Sequence, residues 1–439
     1  MTKVDDKKKK RNGDDTHNPK KHKKVNNDGD DSNVPQTPPP EPVRILFPFV
    51  FHARPNDNDD GEDDEDERSF KSKIKKIKNK IIASNMEEKI KKMALSRLKT
   101  VNEFNSCKEL EWFESLLKIP FGKYSKLPIS KTDGKEKIED FFENAYKNLD
   151  NAVYGMTKVK EEIINYVAQF ISTNGESMPR IIGLSGSPGI GKTSLIRRGM
   201  SETLKRPMKC MSMGGIRDSS HFVGFEFTYS GSKHGCIIQT LIETGVMNPI
   251  IFMDELDKIS FTNDGLDVQN LLVHLTDPVQ NNTFEDKYFS GIEFDLSKAI
   301  FIFSFNDVNL ISPILKDRLH IIEVPIPTEK EKIIIGRKYL LKELSPNIGI
   351  KEEDVNFDEE VMRYIITQHC QHDKGVRGLK RCIETILLKI NTANFLGRLN
   401  KYKTLKSIKF PFTITKEMVD ELVEKNKNDK DELIRHLFL

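Results

Sequence analysis

The sequence predicts an α/β fold with a parallel five-stranded sheet, followed by a small α-helical lid domain and preceded by helices and a charged tail. Three observations predict it. Five short apolar runs, Arg180–Leu184, Lys209–Met213, Pro249–Met253, Ala299–Phe305 and Ile321–Pro325, recur between helical stretches from Tyr154 onward. Several are continuously apolar, as strands buried on both faces of a parallel sheet are. Strands that alternate with helices build α/β layers. A glycine-rich loop, Gly186 to Thr193, follows the first run and precedes a helix-compatible stretch, Ser194 to Leu204.

The elements divide the chain into four parts. Residues 1–69 hold two basic runs (Lys7 to Arg11 and Lys20 to Lys24), a proline cluster at Pro38 to Pro42 and an acidic run from Asp57 to Glu67. Such a composition buries too little apolar surface to offset its ordering entropy, so it reads as a disordered charged tail. The basic runs read as part of that solvated tail, with a nuclear localisation signal as the alternative. One apolar island, Val43 to Phe51, reads either as a docking motif or strand, or as a sticky piece of tail. Residues 70–148 form a helical extension and linker. Ile74, Ile77, Ile81 and Ile82, then Ile90, Met93, Leu95 and Leu98, recur at helical spacing. Pro120-Phe121-Gly122 marks a break. A further helix is expected near Ile138 to Asn148. Residues 149–327 carry the α/β domain. Residues 328–439 carry the lid, with helices expected at Glu329–Leu344, Glu359–Thr367, Gly378–Asn394 and Lys416–Lys425.

Composition narrows the function classes. The chain has 439 residues, 31% of them charged, yet its net charge is only +3. Nucleic acid is therefore not favoured as a partner, because its footprint is clustered positive charge. The five cysteines are scattered, with no Cys-x-x-Cys pair, which suits a reducing compartment better than a disulfide framework or a zinc site. No apolar stretch approaches the roughly 20 residues that cross a bilayer. The first residues contain acids and no apolar h-region, which argues against a signal or transit peptide. The expected location is intracellular, cytoplasmic or nuclear, and neither secreted nor membrane-spanning.

The glycine loop is the strongest motif. Gly186-Ser187-Pro188-Gly189-Ile190-Gly191-Lys192-Thr193 fits G-x-x-x-x-G-K-[ST] in a strand–loop–helix setting. Its glycines let backbone N–H groups approach phosphates, and the helix amino terminus adds partial positive charge. Lys192 is expected to reach the β- and γ-phosphates of ATP, and Thr193 to ligate Mg²⁺. Asp254 ends another apolar run and is expected to face the same metal. Glu255 follows it and is placed to polarise the attacking water. Asn306 ends the run Phe301 to Phe305, where a polar group can hold that water or the γ-phosphate. Arg318 is a candidate arginine finger acting on a neighbouring subunit's ATP. Arg377, in Gly375-Val376-Arg377-Gly378-Leu379, can sense the γ-phosphate from the lid and couple its loss to lid rotation.

Together these residues resemble the AAA+ ATPases, and within them the ATP-dependent Lon proteases. The resemblance runs from about Met86 to the carboxyl end. It rests on Trp112 to Phe121, on Met213-Gly214-Gly215-Ile216-Arg217-Asp218, on Asp277 to Phe284 with Asp295-Leu296-Ser297-Lys298 after it, and on Gly375 to Leu379. The resemblance implies adenine contacts at Tyr154 and Gly155. It gives Asn306 the sensor-1 role, Arg318 the finger role and Arg377 the sensor-2 role. It also implies a homo-hexameric ring that grips unfolded polypeptide with an aromatic pore loop. Tyr229 keeps the aromatic paddle there, while Ser230 replaces the usual apolar neighbour. Lon places a Ser–Lys proteolytic domain after the lid. This sequence ends at Leu439, 62 residues beyond Arg377 (439 − 377), and peptidase activity is not expected. The expected function is ATP-driven remodelling or unfolding of protein substrates, with a separate protease or adaptor as a possible partner. The alternative is a regulatory or interaction subunit of a Lon-like machine with little motor activity of its own. A nucleic-acid motor has only the basic runs in its favour.

Overall fold

The structure, a computed structural model, describes residues 62–102, 106–175, 181–259, 263–277, 279–406 and 410–423. The two basic runs, the proline cluster, the apolar island 43–51, Arg180, Pro278 and residues 424–439 lie outside them.

Three helices open the described chain: α1 (Glu62–Ala83), α2 (Glu88–Leu98) and α3 (Ser106–Lys118). The first begins inside the acidic run that the composition assigned to the tail. Acidic residues complement the dipole at a helix amino terminus, so an acidic start is compatible with helix. Two longer helices follow, α4 (Lys135–Ala152) and α5 (Thr157–Ser172). The α/β part then runs β1 (Ile181–Ser185), α6 (Lys192–Ser194), a π-helical turn at Leu195–Met200, α7 (Ser201–Leu204), β2 (Met208–Ser212), α8 (Ser220–Val223), α9 (Cys236–Thr244), β3 (Ile250–Asp254) and α10 (Asn263–Leu275). It continues with a short antiparallel pair, β4 (Phe284–Glu285) and β5 (Glu293–Phe294), then β6 (Ile300–Phe305), α11 (Pro313–Arg318) and β7 (Leu319–Glu323). The carboxyl-terminal part is mostly helical: α12 (Glu329–Ile335), a π-helical turn at Gly336–Leu340, α13 (Leu341–Ile348), β8 (Val355–Asn356), α14 (Glu359–His369), α15 (Arg377–Phe395), β9 (Phe412–Thr413) and α16 (Lys416–Leu422).

The main sheet has five strands in the order β2-β3-β6-β1-β7, all parallel. It is the expected parallel five-stranded sheet, with every strand end within two residues of its apolar run. Side chains on β3 alternate between two cores, as the period of two requires. Ile251 and Met253 join α1–α3, Trp112 and the phenylalanines of β6 on one face. Ile250 and Phe252 join α4, α5 and the helical run after the glycine loop on the other. The helices after Glu329 gather around their own core, which includes Ile333, Met362, Ile383 and Leu387.

Trp112 fixes α3 to the α/β layers. Its indole N–H donates to the Tyr288 carbonyl at 3.0 Å. Its ring meets Phe113 edge-on at 5.0 Å and Phe289 at 5.5 Å, with the Arg97 guanidinium 4.1 Å above it. Gly199, in the π-helical turn, lets the chain pass α4 closely. A Cβ there would stand 2.6 Å from Leu149 Cδ2.

Candidate functional site

Parallel α/β sheets bind ligands beyond the carboxyl ends of their strands. At that edge β1 turns into the glycine loop. Gly186, Gly189 and Gly191 have φ of +153°, +74° and +105°, which L side chains avoid. Space adds to the demand at Gly186, where a Cβ would stand 2.8 Å from the Val324 carbonyl. Ser187, Pro188 and Ile190 complete the turn, with Ile190 buried in the core below it. The helix then starts at Lys192, so the loop's backbone and the first turn of the helix meet at one point.

Lys192 folds back across that loop. Its ammonium donates to the carbonyls of Gly186 (2.5 Å) and Ser187 (3.1 Å) and to Asn306 Oδ1 (3.1 Å). Burial lowers its pKa, the carboxylates of Asp254 and Asp257 oppose that shift, and the nearby charge of Arg377 reinforces it. Thr193 Oγ1 donates to Asp254 Oδ2 at 3.4 Å. Strands β1, β3 and β6 therefore bring Lys192, Thr193, Asp254 and Asn306 together.

Glu255 is the next residue after β3 and takes a left-handed conformation, φ 63°. Such strain in a residue with a side chain is characteristic of functional sites. Its N–H donates to Asp254 Oδ1 at 2.9 Å, and Ser212 Oγ donates to its Oε2 at 3.1 Å. Gly214 passes so close that a Cβ there would stand 2.5 Å from that same oxygen.

Three polar residues of this site escaped the sequence reading. Ser212 orients Glu255. Ser304 donates its hydroxyl to Asp254 Oδ1. Asp257 lies behind Asn306, whose Nδ2 stands 3.5 Å from Asp257 Oδ2, while Asp257 Oδ1 is buried without a partner. Ser304 did leave a signal. It is the single polar residue of an otherwise apolar strand, and a buried hydroxyl needs a partner.

The helical lid reaches the glycine loop directly. Val376 N–H donates to the Gly189 carbonyl at 3.0 Å, and a Cβ at Gly189 would stand 3.0 Å from Arg377 Cβ. Asp373 holds this segment by accepting the N–H groups of Gly375 (2.9 Å) and Gly378. Arg377 opens α15 and lies at the same edge as Lys192.

A cavity of about 700 Å³ lies between Gly155, Val159, Gly186, Asn306, Val324 and Glu331. Gly155 takes φ +67°, and Glu331 Oε1 fills the space a Cβ would need. Tyr154 stands beside it, edge-on to Tyr339 at 6.2 Å.

Two expected residues lie elsewhere. Arg318 ends α11. Leu319 pairs with Ile181, the first residue of β1, so Arg318 sits at the opposite end of that strand from the glycine loop. At about 3.3 Å per residue, that is roughly 15 Å along the strand. Its guanidinium donates to the Val273 carbonyl at 3.1 Å and pairs with Asp277 Oδ2 at 3.2 Å. Tyr229 lies in a loop between α8 and α9, 64% exposed, with Ser230 exposed beside it. Lys108 Nζ donates to the Tyr229 carbonyl at 2.8 Å.

The residues present fit a nucleoside triphosphate with a hard divalent cation. Backbone N–H groups, a lysine and a helix start suit phosphate, and a hydroxyl beside a carboxylate suits Mg²⁺.

Comparison with known proteins agrees with this geometry. Residues 182–326 match the model of the ATPase family associated with various cellular activities (AAA). Among curated proteins, the chain is 38% identical to a Lon protease homolog of Acanthamoeba polyphaga mimivirus over 271 residues, which covers 62% of this chain and 26% of that protein. It is 38% identical to the Lon protease of Aquifex aeolicus over 282 residues, 64% and 34% of the two chains. It is 33% identical to Lon protease 2 of Herpetosiphon aurantiacus over 375 residues, 82% and 42%. The chain thus spans between about a quarter and under half the length of these relatives. Among the described residues, no helix is long and apolar enough to cross a membrane. The α/β part of this chain is an AAA-family ATPase domain, and with the helical part that follows it forms a Lon-like AAA+ module.

Proposed function

We propose that this chain binds ATP with Mg²⁺, hydrolyses it at a site completed by a neighbouring copy in a hexameric ring, and uses the cycle to remodel or unfold polypeptide. The observation that carries the reading is the convergence of Lys192, Thr193, Asp254 and Asn306 at the carboxyl ends of β1, β3 and β6.

The roles follow from position. The glycine loop and Lys192 hold the phosphates. Thr193 and Asp254 would hold Mg²⁺, which when bound would supply positive charge to offset that of the phosphates. Glu255, oriented by Ser212, accepts a proton from the attacking water. Asn306, braced between Lys192 and Asp257, holds that water or the γ-phosphate. The cavity beside Gly155 and Tyr154 takes adenine. Arg377 contacts the γ-phosphate from the lid, and its link to Gly189 carries loss of that phosphate into lid movement. Arg318 acts on the neighbouring copy's nucleotide, a role its distance from its own phosphate loop supports. The working division of the chain is 1–69, 70–148, 149–327 and 328–439. A cytoplasmic or nuclear setting, with a separate protease or adaptor, completes the reading. No peptide-bond cleavage is assigned to these residues.

Tyr229 is the residue proposed to grip polypeptide. The test is ATP-dependent unfolding of a fluorescent protein carrying an unstructured tag. Tyr229→Ala should reduce unfolding at least about tenfold while ATP turnover persists, since an aromatic anchor contributes a few kcal/mol to a contact. Unfolding at the wild-type rate would remove Tyr229 from the mechanism.

A further inference from the structure

Two thiols stand together in the lid. Cys370 directly follows α14, and Cys382 lies in the second turn of α15. Their sulfurs are 3.8 Å apart, within thiol–thiol hydrogen-bond distance. Cys382 is partly exposed and Cys370 buried, and each lines a cleft. A cleft of about 450 Å³ is lined by Cys382, Gly378 and Arg381, and a second of about 480 Å³ by Cys370, Asp373 and Arg381. The hydrogen bond from Cys370 holds the Cys382 thiol below its usual range, and the same bond together with burial pushes Cys370 up. Cys382 is thus the sulfur that ionises more readily and Cys370 the one that keeps its proton, the arrangement that favours attack by the first and resolution by the second.

The pair also brackets the segment that touches the phosphate loop. Between the two cysteines lie Asp373, Gly375 and Val376. A Cβ at Gly375 would stand 2.5 Å from the Pro188 carbonyl and 2.6 Å from that of Gly189, so this backbone has no room to shift and keep its contact. Gly378 lies beside the first thiol, its Cβ position 3.4 Å from Cys370 Sγ. A disulfide needs the sulfurs at about 2.05 Å. Side-chain rotation and the intervening backbone must absorb the difference.

We propose that Cys370 and Cys382 form a peroxide-reactive dithiol whose reversible disulfide loosens the hold of Gly375 to Arg377 on the phosphate loop. The Cys382 thiolate attacks a hydroperoxide oxygen and forms a sulfenic acid, releasing the alcohol, or water from hydrogen peroxide. Cys370 then attacks the sulfenic sulfur and expels water. In sum, two thiols and one hydroperoxide give one disulfide, one alcohol and one water. A small dithiol reductant reverses the step by taking up the oxidation. The dithiol chemistry stands apart from the nucleotide reading, while its consequence rests on that reading.

The experiment uses the full chain, reduced or treated with hydrogen peroxide and then alkylated. Tryptic mass spectrometry should find residues 364–374 linked to residues 382–389, a species that dithiothreitol removes. In parallel, affinity for a fluorescent ADP should fall at least about fivefold on oxidation, the lower end of ordinary coupling between sites. It should recover with dithiothreitol and stay unchanged by peroxide in Cys382→Ser. Comparing wild-type chain with and without reductant requires no variant to fold. Separate oxidation of the two cysteines without a linked peptide would overturn the proposal, and so would a linked peptide with unchanged affinity. A reduced chain that binds no adenine nucleotide would sink the phosphate-site reading and the coupling together, with the linked peptide still deciding the thiol chemistry.

Discussion

The guanidinium of Arg318 is held by its own chain, by Asp277 and the Val273 carbonyl. Asp277 opens the segment Asp277 to Phe284 that carried much of the Lon resemblance, so that wording has a local physical use here. Arg318→Ala should lower ATP turnover by on the order of 10³, the low end for arginine fingers, and leave nucleotide affinity intact. Turnover and binding measured side by side test it; a variant with wild-type turnover would assign the arginine to folding alone. Asp286 is a second informative residue. It is fully buried and accepts the N–H groups of Gly235 (2.7 Å) and Tyr288 (2.9 Å), pinning the base of the Tyr229 loop. Burial pushes its carboxyl up to about 7, against the pull of those N–H groups. The folded chain then keeps a proton that the unfolded chain releases above its ordinary value of 3.8. Raising pH from about 4 to 7 therefore costs stability, at up to about 1.4 kcal/mol per pH unit from this group. Urea unfolding across that range should show the slope, and Asp286→Asn should flatten it. An unchanged slope would mean other groups set it. At this scale the sequence was most legible where motifs are contiguous. Lys192, Thr193, Asp254 and Glu255 could be named because neighbours in sequence are neighbours in space. Ser212 and Asp257 could not, because their partners lie on other strands.

Among elements, the five strands were legible as apolar runs because both faces of the sheet are covered. The two-residue strands β4, β5, β8 and β9 were not. Pairs that short carry no periodicity and are defined by their partners. The π-helical turn at Leu195–Met200 was also invisible, since its sequence reads as ordinary helix. Helix α3 docks in part through one large side chain. Trp112 is fully buried and ties α3 to the Tyr288 carbonyl and to Phe289. Trp112→Ala should cost about 3–5 kcal/mol, as large aromatic truncations in cores do. Chemical denaturation checks this, and a loss under about 0.5 kcal/mol, the range of a tolerated surface change, would show that α3 is held by other contacts.

For the whole molecule, the Lon-like AAA+ module places its candidate site residues on two parts, an α/β part and a helical part. The α/β cores carry the phosphate loop, Asp254, Glu255 and Asn306, while the helical part carries Arg377 on α15. They meet where Val376 donates to Gly189. That junction was half legible: Gly375 to Leu379 named the motif, but no local pattern reveals that its backbone rests on Pro188 and Gly189. The central claim is that this assembly turns over ATP with Glu255 as the group that activates water. The most direct measurement is steady-state ATP hydrolysis by wild type and Glu255→Gln, alongside binding of a fluorescent ATP analogue, at concentrations where the chain assembles. The expected result is turnover by wild type, a loss of about 10²–10⁴ in the variant, as for removal of a general base, and equal affinity in both. Undetectable wild-type hydrolysis, or equal rates in the two proteins, would contradict the account.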